Sequence, residues 1–381
     1  MNNFVFQNPT KLIVGKGTIA SLATEISKDK KIMVTFGGGS VKSNGVYDQV
    51  KAALAGHNVI EFWGIESNPT YQTLSKAIKI GKEEGIDFLL AVGGGSVVDG
   101  TKLISAAIPY RGDAWELVLD NTLVGETTPL ASVITLPAAG SEMNCGAVIS
   151  NTDTHEKYPF YSSYPQFSIL DPETTYSLPA FQISCGIVDT YIHTMEQYLT
   201  FPSQALVMDR WAEGLLLSLI ELAPKIQCDQ HNYDTMSNYM LTATLALNGF
   251  IGMGVPQDWA THYIGHELTA LKGLTHGLTL AIIYPAMLRV LKEAKREKLL
   301  QYATRVWKIT EGTEEQRIER AIATTEAFFR MVGLPTKLRE VEVDASTIEE
   351  IVTRFEQRGT VLGEHATVTP AVVSEILTKA L

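Results

Sequence analysis

The chain has 381 residues, of which 45% are hydrophobic and 19% are charged, and its formal net charge is −11. This size and composition suit two globular domains with substantial cores and exclude a disordered chain. The acidic balance argues against nucleic acid and anionic membranes as partners, because both attract clustered Lys and Arg. The three cysteines are far apart, and the chain has neither a signal-like N-terminus nor a run of about 20 apolar residues. We therefore predict a cytoplasmic protein that binds small molecules.

Hydrophobic patterns divide the chain into two regions. Before about residue 175, short apolar runs at 31–36, 58–63, 88–92 and 130–135 alternate with segments of helical period. Such alternation predicts a parallel sheet with crossover helices. After residue 178 the β-type runs largely end, and long helical patterns take over. The predicted organisation is an α/β domain at 1–178 followed by an all-helical domain at 179–381.

Two of the predicted strands end in the same tetrapeptide, GGGS, at 37–40 and 93–96, and a helical pattern follows each. Glycine lets backbone amides approach a phosphate closely, and the N-terminus of the next helix favours its negative charge. Neither loop matches GxGxxG or the Walker motif, but the pair indicates a Rossmann-like, dinucleotide-binding domain. Asp99, after the second loop, is placed either to bond a polar cofactor group or to serve as an ordinary charge in the first turn of a helix.

The first loop also bears on the choice of nicotinamide cofactor. An Asp or Glu at the end of this strand would pair with the ribose 2′-hydroxyl of NAD and repel the 2′-phosphate of NADP. Glycine stands there instead, followed by Ser40 and Lys42, a hydroxyl and a cation suited to a phosphate. We predict that NADP(H) is preferred over NAD(H).

One aspartate and four histidines have the spacing of a metal site. Asp189 and His193 lie four residues apart in an apolar segment, as do His262 and His266, and His276 follows. Residues at i and i+4 share one helix face, so each pair can point at the same ion. Their side chains suit a divalent metal such as Fe(II) or Zn(II), without choosing between these metals. The alternative is that Asp189 pairs only with His193, or that each histidine is a hydrogen-bonded core residue.

Taken in chain order, the GGGSVVD segment, the PAAGSE segment at 137–142, the Asp-x3-His pair and the His-x3-His-x9-His series resemble the iron-containing (group III) alcohol dehydrogenases. The GGGS form of the first loop is similar to that of the NADPH-dependent aldehyde reductase and butanol dehydrogenase branch. The resemblance implies a dehydroquinate synthase-like architecture, an active site in the cleft between two domains, and a homodimer. It also implies hydride transfer between NADP(H) and a small alcohol or aldehyde, with the carbonyl polarised by one divalent metal.

The resemblance assigns roles to particular residues. Asp189, His193, His262 and His276 match the metal ligands, and His266 matches the histidine near the nicotinamide and the substrate, where it either relays a proton or shapes the pocket. The positions that match cofactor contacts are Gly38, Gly39, Ser40, Gly94, Gly95, Ser96, Asp99, Thr135 and Lys157. Many members carry TTAGTGSE in the third loop, whereas this chain carries the shorter PAAGSE, which removes hydroxyl contacts to the cofactor.

Two other functions compete with the dehydrogenase. A metal- and NAD-dependent lyase resembling dehydroquinate synthase shares the architecture, but it needs basic residues for an anionic substrate, and no such cluster surrounds the histidines. A non-catalytic nucleotide-binding relative would keep the fold without turnover. Retention of all four ligand positions argues against this second alternative.

Overall fold

The computed structural model describes Met1–Leu381, which divide into two compact units. The sheet unit contains Gln7–Pro179 and Asp229–Thr244, and the helical unit contains Met1–Phe6, Ala180–Cys228 and Leu245–Leu381. The chain leaves the sheet unit beside the predicted junction but returns to it for one short segment. There Tyr239 donates its hydroxyl hydrogen to the Pro137 carbonyl at 2.8 Å, and Thr244 donates to Glu142. These contacts, which no periodicity signals, explain why the segment belongs with the sheet.

The sheet unit contains eight strands. They are β1 Lys11–Val14, β2 Lys31–Phe36, β3 Asn58–Phe62, β4 Phe88–Gly94, β5 Leu130–Leu136, β6 Gly146–Asn151, β7 Glu156–Tyr161 and β8 Phe167–Leu170. Six of them form one parallel sheet in the order β1-β8-β5-β4-β2-β3. The other two, β6 and β7, form an antiparallel hairpin that the sequence patterns do not predict. Pro159 interrupts the second of these runs and hides its strand character.

Helices make up most of the remaining structure. In chain order they are α1 Leu22–Glu25, α2 Ser40–Ser43, α3 Val46–Ala53, α4 Tyr71–Glu84, α5 Gly95–Ala107, α6 Ala114–Leu119, α7 Ala180–Tyr198, α8 Leu206–Cys228, α9 Tyr233–Ala246, α10 Ala260–Lys272, α11 His276–Val290, α12 Arg296–Arg305, α13 Glu314–Met331, α14 Ala345–Arg358 and α15 Pro370–Ala380. No strand lies beyond β8. An α/β region followed by a helical region confirms the predicted fold class. None of the helices combines the length and the apolar character needed to cross a membrane.

The sheet separates two hydrophobic cores. Successive residues of a strand point to opposite faces. On β2, Met33 therefore packs with one core, which α4, α5 and α6 cover, while Ile32 and Val34 pack with the other, beneath α1 and α3. Burial on both faces is the reason why the central strands read as continuous apolar runs.

The order of the strands brings the three predicted loops together. Because β5, β4 and β2 are consecutive neighbours and run parallel, their carboxyl ends meet at one edge of the sheet. The first GGGS segment follows β2, the second spans the end of β4 and the start of α5, and PAAGSE follows β5. Ligands of open α/β sheets bind outside this edge.

Candidate functional site

Three helices of the helical unit carry the predicted metal ligands. Asp189 and His193 lie on the buried helix α7, His262 lies in the first turn of α10, and His276 is the first residue of α11. Helices α7 and α11 approach closely at Gly277, where an added Cβ would lie 2.8 Å from both the Cα and the carbonyl carbon of the α7 residue Cys185. The missing side chain therefore allows the two ligand-bearing helices to touch.

The imidazole rings converge on one carboxylate oxygen. Asp189 Oδ1 lies 3.6 Å from the Nε2 atom of His193, 3.7 Å from that of His262 and 3.7 Å from that of His276. Donor atoms of Asp189, His262 and His276 all lie within 4.8 Å of one another. The His193 ring is stacked on the His262 ring, with 4.6 Å between their centroids. Three helices, α7, α10 and α11, thus contribute side chains to a single cluster.

The distances in this cluster fit a metal ion better than hydrogen bonds. A separation of 3.6–3.7 Å is too long for a hydrogen bond. Two ligand atoms that are each about 2.1 Å from a tetrahedral ion lie roughly 3.4 Å apart. Asp189 Oδ1 and His262 Nε2 are buried and have no hydrogen-bond partner in the protein, although burying such atoms unpaired is costly. The set of one carboxylate and three imidazoles fits a divalent cation.

The electrostatics of the cluster also favour a cation. Burial alone raises the pKa of Asp189, but His193 and His262 hold that pKa well below the usual aspartate value. Burial lowers the pKa of His262, but the nearby carboxylates of Glu196 and Asp189 have the larger effect and raise this pKa to about 9. The site therefore attracts positive charge, and a divalent ion would displace the imidazolium protons.

Glu196 is a site residue that the sequence analysis missed. It lies on α7, three residues after His193, and is 2% exposed. Its Oε2 atom accepts a hydrogen bond from His262 Nδ1, and burial raises its pKa. The available signal was its spacing, since Asp189, His193 and Glu196 fall on one helix face at i, i+4 and i+7.

His266 lies beside the cluster rather than in its centre. It follows His262 by one turn of α10 and is 7% exposed. Its ring centroid lies 5.2 Å from that of His276 and 6.0 Å from that of Tyr263. The position is compatible with both alternatives for this residue, proton relay and pocket shape.

At the sheet edge, α5 offers a free helix N-terminus. The helix begins directly after β4, at Gly95, and its N-cap residue Gly94 makes no side-chain hydrogen bond. An added Cβ would lie 3.1 Å from Leu136 at Gly94 and 3.1 Å from Ala139 at Gly95, so the end of β5 and the third loop pack directly against them. An uncapped N-terminus of a 13-residue helix is suited to a phosphate group.

Asp99 holds the neighbouring segments together. One carboxylate oxygen accepts a hydrogen bond from Ser141 Oγ at 2.5 Å, and the other accepts one from the Val148 amide at 2.9 Å. Beside it, the buried Lys102 donates to Ser141 Oγ at 2.8 Å and to Asn144 Oδ1 at 2.9 Å. Burial lowers the pKa of Lys102 to about 8, against the opposing effect of Asp99. Asp99 is therefore not a simple surface charge of a helix first turn.

Two further predicted cofactor positions, Lys157 and Thr135, lie on strands β7 and β5. Lys157, on β7, is 8% exposed and donates to Asn68 Oδ1 at 2.7 Å. The backbone amide of Asn68 donates to Ser96 Oγ at 3.4 Å, so Asn68 connects Lys157 with the second GGGS loop. Thr135 is buried near the end of β5. The sequence analysis missed Asn68, a non-glycine residue with a left-handed φ of 61°.

The first GGGS loop is the most open of the three. Gly38 and Ser40 are exposed, and Gly39 has a φ of 106°, which glycine adopts without strain. The Lys42 ammonium lies 4.0 Å from the ring centroid of Trp63. No acidic residue stands between the end of β2 and Lys42. The loop thus presents hydroxyl, amide and ammonium groups and no carboxylate.

A parallel sheet with glycine loops at its carboxyl edge, together with a buried carboxylate and imidazole cluster, defines a metal-dependent, dinucleotide-binding class of enzyme. Two family models match the chain. One, for iron-containing alcohol dehydrogenases, covers residues 9–172, and the other, for the C-terminal region of that family, covers residues 183–381. The protein belongs to the iron-containing alcohol dehydrogenase family, which confirms the predicted membership.

Individual relatives resemble the chain over its whole length. The NADPH-dependent aldehyde reductase YqhD of Escherichia coli is 50% identical over 375 residues, which cover 97% of each chain. A probable NADH-dependent butanol dehydrogenase of Bacillus subtilis is 39% identical over 100% of each chain. The crystal structure of YqhD superposes with a TM-score of 0.98, at 49% identity, covering 100% of this chain and 99% of that one. These matches do not favour the lyase or the non-catalytic alternative.

Proposed function

We propose that this protein is a metal-dependent, NADP(H)-preferring alcohol dehydrogenase that reduces small aldehydes. The observation that carries the proposal is the convergence of three Nε2 atoms, 3.6–3.7 Å away, on a buried Asp189 oxygen that has no hydrogen-bond partner. A buried carboxylate surrounded by imidazoles is costly unless it serves a cation. Relatives named as aldehyde reductase and butanol dehydrogenase support the choice of substrate class.

The metal would be held by Asp189, His193, His262 and His276. Three neutral imidazoles and one carboxylate leave a divalent ion such as Fe(II) or Zn(II) with net positive charge. When bound, the ion supplies Lewis acidity that polarises the carbonyl of an aldehyde or acidifies an alcohol. The protein itself contributes the fixed orientation of these side chains and a buried site from which most water is excluded.

The cofactor would bind along the carboxyl edge of the sheet. The free N-terminus of α5, with Gly94, Gly95 and Ser96, suits the diphosphate. Gly38, Gly39 and Ser40 suit the adenosine end, and Asp99, Thr135 and Lys157 complete the set of proposed contacts. The first loop lacks a carboxylate that would repel a 2′-phosphate and offers Ser40 and Lys42, which supports NADP(H) over NAD(H). The name of the YqhD relative, which is NADPH-dependent, supports the same choice.

The reaction would move a hydride from NADPH to the carbonyl carbon and a proton to the oxygen. His266, next to the cluster, is the proposed catalytic residue that delivers this proton or shapes the pocket around it. We further propose that 1–178 acts as the cofactor-binding domain and 179–381 as the metal-binding domain. A homodimer and a cytoplasmic location stay predictions.

The experiment that tests the proposal measures NADPH oxidation with a panel of short aldehydes. Protein treated with a chelator should be inactive, and separate addition of Fe(II), Zn(II) or Mn(II) should restore turnover and rank the metals. His262→Ala should stay inactive with every metal. The matched control is His365→Ala, an exposed histidine of the same unit that stacks on Phe201, and it should retain wild-type turnover. Folded protein that binds nucleotide but turns over no aldehyde with any metal would refute the proposed activity.

A further inference from the structure

Glu196 lies on the same face of helix α7 as Asp189 and His193. Glu196 is 2% exposed, yet it makes no ion pair with Lys or Arg. A buried carboxylate without a cationic side chain normally needs several hydrogen-bond donors. Its contacts are therefore informative about its role.

Both side-chain hydrogen bonds of Glu196, and one to its main-chain carbonyl, go to a short segment around the start of α10. Oε2 accepts from Nδ1 of His262, and Oε1 accepts from the Thr261 amide at 2.7 Å. The main-chain carbonyl of Glu196 accepts from the Asp258 amide at 2.8 Å. Three acceptor atoms of Glu196 thus fix the residues at the start of α10, the helix that carries His262.

These contacts satisfy a helix terminus that has no cap of its own. The N-cap residue of α10 is Trp259, whose side chain makes no capping hydrogen bond. The first amides of a helix lack partners within the helix. Glu196 supplies an acceptor for the second amide, that of Thr261, while Asp258 Oδ1 accepts from the first, that of Ala260, at 2.9 Å. The negative charge also lies favourably at the positive end of the helix dipole.

The hydrogen bond between Glu196 and the His262 ring also determines which ring nitrogen carries the hydrogen. An ionised carboxylate can only accept hydrogen bonds, so Nδ1 of His262 must carry the hydrogen. The hydrogen-bond acceptor on one ring nitrogen selects the tautomer and leaves the other nitrogen as the metal ligand. That other nitrogen, Nε2, points toward Asp189 Oδ1 at 3.7 Å and has no hydrogen-bond partner.

We infer that Glu196 is a positioning residue that presents the lone pair of His262 Nε2 to a divalent cation, while it fixes the first turn of α10. The inference rests on the metal site proposed above. It assigns Glu196 no contact with the metal, the substrate or the cofactor. Its effect on the metal is transmitted through the orientation and the tautomer of the His262 imidazole.

The substitution that isolates this role is Glu196→Gln. An amide has nearly the same shape, but only one of its two ends accepts hydrogen bonds. It cannot accept from both the His262 ring and the Thr261 amide through separate oxygens, so one of the two contacts is lost. The matched control is Glu213→Gln, since Glu213 is another buried carboxylate of the helical unit and bonds to Tyr198 and Arg305 rather than to a histidine.

Two readouts test the inference in zinc-loaded protein. The zinc dissociation constant, measured by competition with a chelator, should rise about 10- to 100-fold in Glu196→Gln and stay at the wild-type value in Glu213→Gln. In ¹⁵N-histidine-labelled wild type, the His262 Nδ1 should show a directly bonded, strongly hydrogen-bonded proton. That signal, assigned by its absence in His262→Ala, should move upfield or exchange away in Glu196→Gln.

The outcomes separate this inference from the proposed function. Wild-type zinc affinity in Glu196→Gln, or a His262 Nδ1 without a proton in the wild type, overturns the positioning role and leaves the metal site intact. The second observation needs no variant and stands even if Glu196→Gln does not fold. Failure of the wild type itself to bind zinc overturns the metal site, and the inference with it.

Discussion

The close approach of helices α7 and α11 at Gly277 offers a test of how the ligands are assembled. Gly277 follows His276 directly, and Cys185 precedes Asp189 by one helical turn. In Gly277→Ala the new Cβ would meet backbone atoms of Cys185, including two at 2.8 Å, and backbone cannot turn aside as a flexible side chain can. The two helices must therefore separate, and the two ligands must separate with them.

The size of this effect follows from the distances. The two Cys185 carbon atoms alone require the helices to move apart by about 0.6 Å, from 2.8 Å to an ordinary contact of 3.4 Å, and the Cys185 carbonyl oxygen, which lies closer still, requires more. Metal–ligand distances tolerate deviations of roughly 0.2 Å, so the displacement is about three times too large. Overpacking of this kind costs ~1–3 kcal/mol. If the strain is felt mainly in the metal-bound state, the zinc dissociation constant rises about 5- to 150-fold.

The assay compares this variant with the same substitution at an open position. Gly214 lies on the exposed side of α8, and its added Cβ would meet nothing within 4 Å. Gly214→Ala should stabilise the protein by ~0.5–1 kcal/mol, because alanine loses less backbone entropy in a helix. Gly277→Ala should lower both the melting temperature and the zinc affinity. A Gly277→Ala protein with wild-type values of both would refute the argument that this contact sets the positions of the ligands.

Two further predictions concern the cofactor and the pH dependence of stability. Gly38→Asp places a carboxylate on the first loop, where an added Cβ meets nothing within 4 Å. It should reduce the ratio of kcat/KM for NADPH to kcat/KM for NADH by about tenfold or more, whereas the uncharged Gly38→Asn should not. Equal ratios in the two variants would contradict a 2′-phosphate at this loop. Burial and the neighbouring Asp258 raise the pKa of Glu364 from 4.5 to about 7. Protonation of Glu364 therefore contributes stability that is fully present below pH 4.5 and is lost as the pH rises through 7. Glu364→Gln should therefore show a flatter pH dependence of the urea midpoint than the wild type over this range, and identical slopes would count against the raised pKa.

Local sequence was sufficient for most of the fold. The run at 88–92 is apolar throughout, and the run at 31–36 is apolar except for Lys31 and Thr35, because β4 and β2 are buried on both faces. Each run coincides with a central strand. The repeated GGGS segments follow two of the predicted strands, at 31–36 and 88–92, and the structure pairs these strands as β2 and β4. The hairpin of β6 and β7 was not predictable in the same way, because a proline interrupts one strand and its pairing is antiparallel.

The site was also predictable from the sequence only in part. Spacing along one helix was enough to put Asp189 and His193 on a common face, since i and i+4 are neighbours in any helix. Spacing says nothing about the distance between helices, so the approach of His262 and His276 to the same oxygen emerged only from packing, including the contact at Gly277. The role of Glu196 also depends on tertiary structure, because its partner His262 lies 66 residues away in sequence. Periodicity is a property of a single element, whereas the geometry of a metal site is a relation between elements that only the packed core can establish.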